Sequence, residues 1–221
     1  MKTKQERSEI FKSFQAGIKN GDTFEHSKQS LLLLRTELSA ICDLVYSICD
    51  EEDFCRMPFS KDKTIAYYLY HLARIEDITS NTLITDKTQL FFSEGFDTSL
   101  KSPIITTGNE LTRDELVEFS KKLDTGRLKN YYDAVIANTN NIIKNMSFAD
   151  SKTKISSERK TKLIKSNTVS TEQNAFWLVD YWCRKIYSGL MLMPFSRHHM
   201  VHLGSGCLRI VDKLKSTKHY T

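Results

Sequence analysis

Glycine and proline are scarce in this chain of 221 residues: 8 Gly and 3 Pro leave long stretches without a turn signal, which argues against a many-stranded sheet and for helices. Cysteine is present without a pattern. The five (Cys42, Cys49, Cys55, Cys183, Cys207) make an odd set with no Cys-x-x-Cys pair, which excludes a disulfide framework and a zinc ribbon and fits reduced thiols. No window approaches the ~20 apolar residues of a membrane span. The opening stretch from Met1 to Arg7 is charged, with no apolar core after it, so a soluble, cytoplasmic protein without a membrane partner is expected. The metalloprotease pattern His-Glu-x-x-His is also missing, because residue 199 is histidine where that chemistry needs its glutamate base.

The length suits one domain, 1–221, with a core that needs no disulfide or metal staple. The formal charge of +5 is concentrated. Lys152, Lys154, Arg159, Lys160, Lys162 and Lys165 face one acid, Glu158, so this segment carries the whole excess. It reads as a solvated basic connection; an anionic partner is the alternative, but no nucleic-acid module accompanies it and no nucleic-acid partner is expected.

Helical spacing dominates the rest. A short helix is expected over Lys4–Lys19 on Ile10, Phe11, Phe14 and Ile18. A long one comes next over Glu25–Cys49 on Leu31, Leu34, Leu38, Ile41, Val45 and Ile48. A third runs from near Ser60 to Leu83 on Ile65, Leu69, Leu72, Ile75 and Leu83. The pattern fades from Thr85 to Thr112, where Phe91 and Phe92 are expected to cover one end of a bundle. A capping box at Thr112 to Glu115 opens a helix ending near Leu123, and Thr125–Met146 is the next. A further helix starts at Ser170 to Gln173, with Phe176, Val179, Trp182, Ile186 and Leu190 on one face, until Pro194 interrupts it. Ser196 then caps a last helix to about Lys215, with Val201, Leu208 and Val211 inward. The expected fold is all-α.

Three histidines stand out. His71 lies on the flank of the third helix, beside Tyr68, Ile75 and Ile78. His198 and His202 are one helical turn apart, so their rings point the same way and a third imidazole from a neighbouring helix can complete a facial set of three nitrogens. His199 rivals His198 through its i, i+3 relation to His202, although i, i+4 geometry favours His198. His26 and His219 read as surface residues. Glu76 falls inside the apolar stripe near Leu69 and Leu72, where an unpaired carboxylate is too costly. It either orients a histidine or acts as a base, or it is buried against Arg74, Arg184 or Arg209. Arg74 and Asp77 fall on other faces and read as structural, Cys207 as a small core residue, and Tyr67, Tyr68 and Tyr70 as pocket lining or interhelical packing.

The run Ala66-Tyr67-Tyr68-Leu69-Tyr70-His71-Leu72-Ala73-Arg74-Ile75-Glu76-Asp77 resembles the second helix of the DinB/YfiT-like superfamily. His198-x-x-x-His202-x-Gly204 resembles its second signature, His-x-x-x-His-Arg-Gly-Gln, and Leu128 to Val135 is similar to its third helix. The resemblance implies a DinB-like four-helix bundle with extra short helices and long crossover connections. It further implies zinc or nickel held by His71, His198 and His202, and a homodimer. Some relatives are thiol S-transferases or maleylpyruvate isomerases using thiols such as bacillithiol or mycothiol. Leu203 and Ser205 stand where the signature has arginine and glutamine, which departs from the usual contacts around the ligands. The expected function is a metal-dependent transferase or hydrolase acting on a small molecule, with a low-molecular-weight thiol as cosubstrate. A non-catalytic, dimeric stress-associated bundle is the other reading.

Overall fold

The structure of the protein, a computed structural model, describes residues 1–59 and 63–218. Among them every extended element is helical, and the one β-type pairing is an isolated bridge between Lys154 and Ile186. Helix α1 (Lys4–Gly17) starts at a Thr3 capping box and turns back through Gly21–Thr23 into α2 (Phe24–Ile48). The pair is antiparallel: the Ser27 hydroxyl donates to the Phe14 carbonyl at 2.7 Å, while the Lys2 amide reaches Glu37 at 2.7 Å. The apolar stripe of α2 is buried from Leu31 through Val45, as its spacing requires.

Helix α3 (Ile65–Asp77) is the central element. Its thirteen residues are all buried, including the polar ones, so it is a helix surrounded on every side rather than one with a single core face. The Thr64 hydroxyl caps it by accepting the Tyr67 amide at 3.0 Å. The start expected near Ser60 lies outside the described residues, as does His219. Beyond Asp77 the chain widens into a π-helical stretch, Ile78–Thr85, and stops at Asp86 in the left-handed conformation (φ 55°).

Segment 86–112 has little pattern of its own and is fastened by two buried residues of α3. The Asp77 carboxylate accepts the Leu90 and Phe91 amides at 2.9 Å each, the Tyr131 hydroxyl at 2.8 Å and the Asn81 amide at 2.7 Å. Arg74 donates to the Ile105 carbonyl at 2.7 Å and to Gln89 at 2.9 Å, and its guanidinium lies 3.9 Å from the Phe91 ring centre. Both residues are therefore structural, as expected, although they are wholly buried. They hold the short helices Leu90–Ser93 and Phe96–Ser99 against the bundle.

Next come α4 (Arg113–Lys122), α5 (Thr125–Asn145), α6 (Ser157–Lys165) and α7 (Gln173–Cys183). The basic segment is a helix, not a bare connection, and part of its charge is engaged internally. Arg159 donates to the Leu83 and Ile84 carbonyls at 2.8 and 2.7 Å, closing the end of the π stretch. Lys160 pairs with Asp180 at 2.7 Å and Lys162 with Asp86 at 2.8 Å.

The helix expected to run through to Pro194 instead breaks after Cys183 and restarts at Tyr187. Phe176, expected inward, is exposed, while Val179, Trp182 and Leu190 are buried. From Tyr187 the chain alternates: Tyr187–Leu192 α, Met193–Arg197 π, His198–Val201 α, His202–Cys207 π and Leu208–Lys218 α. Pro194 is absorbed in the first wide turn, where its missing N–H costs less than in a regular helix. Ser196 does not cap the next turn; its hydroxyl donates back to the Met191 carbonyl at 2.7 Å. Val201 is 50% exposed, and Leu203, Cys207, Ile210 and Val211 are the inward residues. A π turn separates Val201 from Leu208, so the α-helical count that linked them does not hold.

Helix α3 packs against α5 and the C-terminal run, and α2 packs against the same two. These helices share one core. Removing the Asp77 carboxylate should cost about 3–5 kcal/mol, because it leaves buried Arg74 uncompensated and two amides without an acceptor. Urea unfolding of Asp77→Ala checks this; a loss under ~1 kcal/mol would contradict the fastening role.

Candidate metal centre

The two π turns set the position of the histidine pair. The His198 amide closes the first by reaching the Met193 carbonyl five residues back, and the Leu208 amide closes the second on Leu203. His198 and His202 then begin successive turns on one side of the run and face His71 on α3. Gly206 permits this approach: a Cβ there would lie 3.0 Å from the Tyr68 ring, and that ring stacks on His202 with centres 5.0 Å apart. Tyr67 stacks on His71 in the same way, at 5.3 Å and 13°. Both tyrosines therefore hold candidate ligand rings as well as line the pocket, whereas Tyr70 packs into the core and donates to the Ile104 carbonyl at 2.8 Å.

His71 Nε2 lies 3.1 Å from His198 Nε2. One potential ligand atom from each of His71, His198 and His202 falls within 4.8 Å of the others. Two nitrogens bound to one zinc-sized ion at about 2.0–2.1 Å sit about 3.3 Å apart at a tetrahedral angle, and the His71–His198 pair stands close to that spacing. His71 Nδ1 is 2.8 Å from the Thr107 carbonyl, which fixes its proton there and turns a lone pair on Nε2 toward the cluster. Gly108, at φ +76°, makes the turn that presents this carbonyl, and its own carbonyl accepts the Tyr67 hydroxyl at 3.2 Å. His198 Nδ1 is buried without a partner. The donor set thus fits a metal ion: three imidazoles, one oriented from behind, converge with no carboxylate among them.

Burial keeps these rings neutral. It pushes His71 down to about 4 against the opposing Thr107 carbonyl, His202 down to about 3, and His198 far below its ordinary value, with the neighbouring imidazoles adding to the shift at His202 and His198. Neutral imidazole is the form that coordinates. A cavity of about 510 Å³ reaches all three rings, walled by Tyr67, Tyr68, Trp177, Tyr181 and Trp182, with Lys63 and Asn109 as its polar lining besides the histidines.

His199 is turned aside, as its register implied. It is buried in a separate polar cluster, with Nε2 2.7 Å from Glu76 Oε2 and Nδ1 3.2 Å from the Tyr132 hydroxyl. Glu76 pairs with none of Arg74, Arg184 and Arg209. Its partner is Arg35 on α2, which donates to both carboxylate oxygens at 2.6 and 3.0 Å and to the Phe195 carbonyl at 2.8 Å. Asn140 and the Ile136 carbonyl of α5 take its other donors. Arg35 is not among the residues singled out from the sequence, although it lies on the buried stripe between Leu34 and Leu38, where a charge signals a partner as surely as Glu76 does. Thr107 had no such signal. His26 is exposed and Cys207 is a buried core thiol pushed up by desolvation.

Burial would raise the Glu76 carboxyl, but the Arg35 charge and the His199 contact outweigh it and hold the group at about 2, against an ordinary 4.5. Its contribution to stability is therefore complete above pH 4.5 and lost as pH falls toward 2. Glu76→Gln should lose about 3–5 kcal/mol at neutral pH and lack this acid-dependent part of the profile. Urea midpoints between about pH 2.5 and 7 test both, and parallel profiles for wild type and variant would refute the pairing. Compared with known proteins, the chain matches no protein-family model and no curated protein.

Proposed function

We propose that the protein is a divalent-metal-dependent enzyme, a transferase or hydrolase acting on a small molecule, with zinc or nickel held by His71, His198 and His202. The observation that carries this reading is the cluster of three neutral imidazoles within 4.8 Å at the wall of a cavity large enough for a substrate. A metal ion held by three uncharged ligands keeps its full positive charge and supplies Lewis acidity, lowering the pKa of water or a thiol beside it.

The chain's own residues do the positioning. Thr107 fixes the His71 tautomer, and Tyr67 and Tyr68 stack the rings in place. Trp177, Tyr181 and Trp182 form an aromatic wall that takes an apolar body, with Lys63 available to an anionic group. Glu76 does not line the cavity and is wholly buried, which supports a structural role over that of a base. The resemblance to the DinB/YfiT-like superfamily supports the same reading, with a low-molecular-weight thiol as cosubstrate and a homodimer as the assembly. An open cavity beside the ligands favours catalysis over a structural metal, which would suit a closed four-ligand site.

Metal analysis of protein purified without an affinity tag tests the proposal. Stoichiometric zinc or nickel is expected in wild type and in His199→Gln, and its loss in His71→Ala, His198→Ala and His202→Ala. Absence of metal from wild type even after reconstitution, or equal retention in His71→Ala, would remove the basis of the reading.

A further inference from the structure

Arg7 is left unexplained by the metal centre. This residue of α1 is only 5% exposed, yet no carboxylate among the described residues lies within ion-pair distance of its guanidinium. It makes one hydrogen bond, from Nη1 to the Lys2 carbonyl. The carboxylates whose charge reaches it, Glu37 and Glu6, are engaged by the Lys2 and Thr3 amides at 2.7 Å each. A buried cation whose carboxylates stand beyond ion-pair distance is only partly compensated, and a cost of that kind can be met by an anion from outside the chain.

The surroundings sharpen the anomaly. Arg7 forms part of the wall of a cleft of about 400 Å³ between α1 and the C-terminal run. Lys4, Lys12 and Arg197 line the same cleft with Ser8 and Ser205, and no acidic residue lines it among the described residues. Those three cations also have no carboxylate partner among the described residues. Lys4 and Arg7 are i, i+3 neighbours of like charge, an arrangement that disfavours the helix unless an anion sits between them. Gly204 lines the cleft beside Arg7, 3.7 Å from its Nη2 at the position a Cβ would take, which is ordinary contact distance.

We propose that this cleft binds a phosphate monoester. Arg7 donates from the buried side, Lys4, Lys12 and Arg197 surround the anion at the rim, and the Ser8 and Ser205 hydroxyls bond its remaining oxygens. Four cations suit a dianion better than a carboxylate. The volume exceeds that of bare phosphate and accommodates a small organic body. None of the three histidines lines the cleft, so the site stands independently of the metal reading.

Isothermal titration of the full chain with inorganic phosphate, glycerol phosphate and acetate tests it. Wild type should bind both phosphates saturably, the ester more tightly, with affinity falling as salt rises and acetate about ten-fold weaker or worse. The double rim variant Lys12→Gln/Arg197→Gln, whose residues are exposed, should weaken phosphate binding about ten-fold or more, and Arg7→Met should abolish it. In the absence of phosphate Arg7→Met should melt no lower than wild type, since a buried charge with no close partner is gone. His71→Ala should bind phosphate like wild type, which separates this site from the metal. No saturable binding to wild type, affinity unchanged in the rim variant, or binding only to vesicles containing phosphatidic acid would overturn the proposal. If Arg7→Met does not fold, the rim variant decides.

Discussion

The pairing of Arg35 with Glu76 is the contact on which the interior is organised. Arg35 of α2 holds the carboxylate of α3 with two nitrogens, the Phe195 carbonyl of the first π turn with one of them, and polar atoms of α5 with the rest. All four helical segments around the core therefore meet at one guanidinium. Such a pair gains little net stability over apolar packing, because desolvation offsets most of the attraction, but it tolerates no other arrangement of its partners. Its effect is to fix where α3 and the C-terminal run stand relative to each other, and the three imidazoles lie on those two elements. His199 links the two levels, touching Glu76 with its ring while its neighbour His198 faces His71.

Polar residues otherwise divide by task. Arg74 and Asp77 on α3 organise the patternless segment 86–112, and that segment returns to the site through the Thr107 carbonyl behind His71. Orientation of one proposed ligand thus depends on a loop that α3 itself holds in place. The tyrosines beside the three histidines act at the same level: Tyr67 packs against His71 and Tyr68 against His202, which limits rotation without adding a charge.

Much of this is legible in the sequence, and the reasons for the rest are physical. Periodicity locates α2, α3 and α5, since an apolar stripe repeating every three to four residues is the mark of a helix with a buried side. The i, i+4 relation of His198 and His202 singles out the pair, and Glu76 announces itself as a carboxylate on a buried stripe. Its partner does not, because the arginines close to Glu76 or to the histidines along the chain point elsewhere, whereas Arg35 comes from another helix, α2, 41 residues away in the sequence. Thr107 is illegible because its placement is wholly tertiary. Val201 falls on the wrong side because two wide turns change the phase of the α-helical count, and Phe176 because its stripe is drawn through Ile186 and Leu190, which lie beyond the break after Cys183.

Those wide turns are where the run can change length without disturbing the centre. A π turn fits one residue more than an α turn into a single circuit of the axis, so it takes up an extra position while the residues after it keep their direction. A residue gained or lost between His198 and His202 has no such outlet and would swing everything C-terminal to it by about 100° about the axis, carrying the His202 ring away from the other two. Lineages that keep this arrangement should tolerate a change of length within Met193–Arg197 more readily than within the four-residue step that joins the two rings.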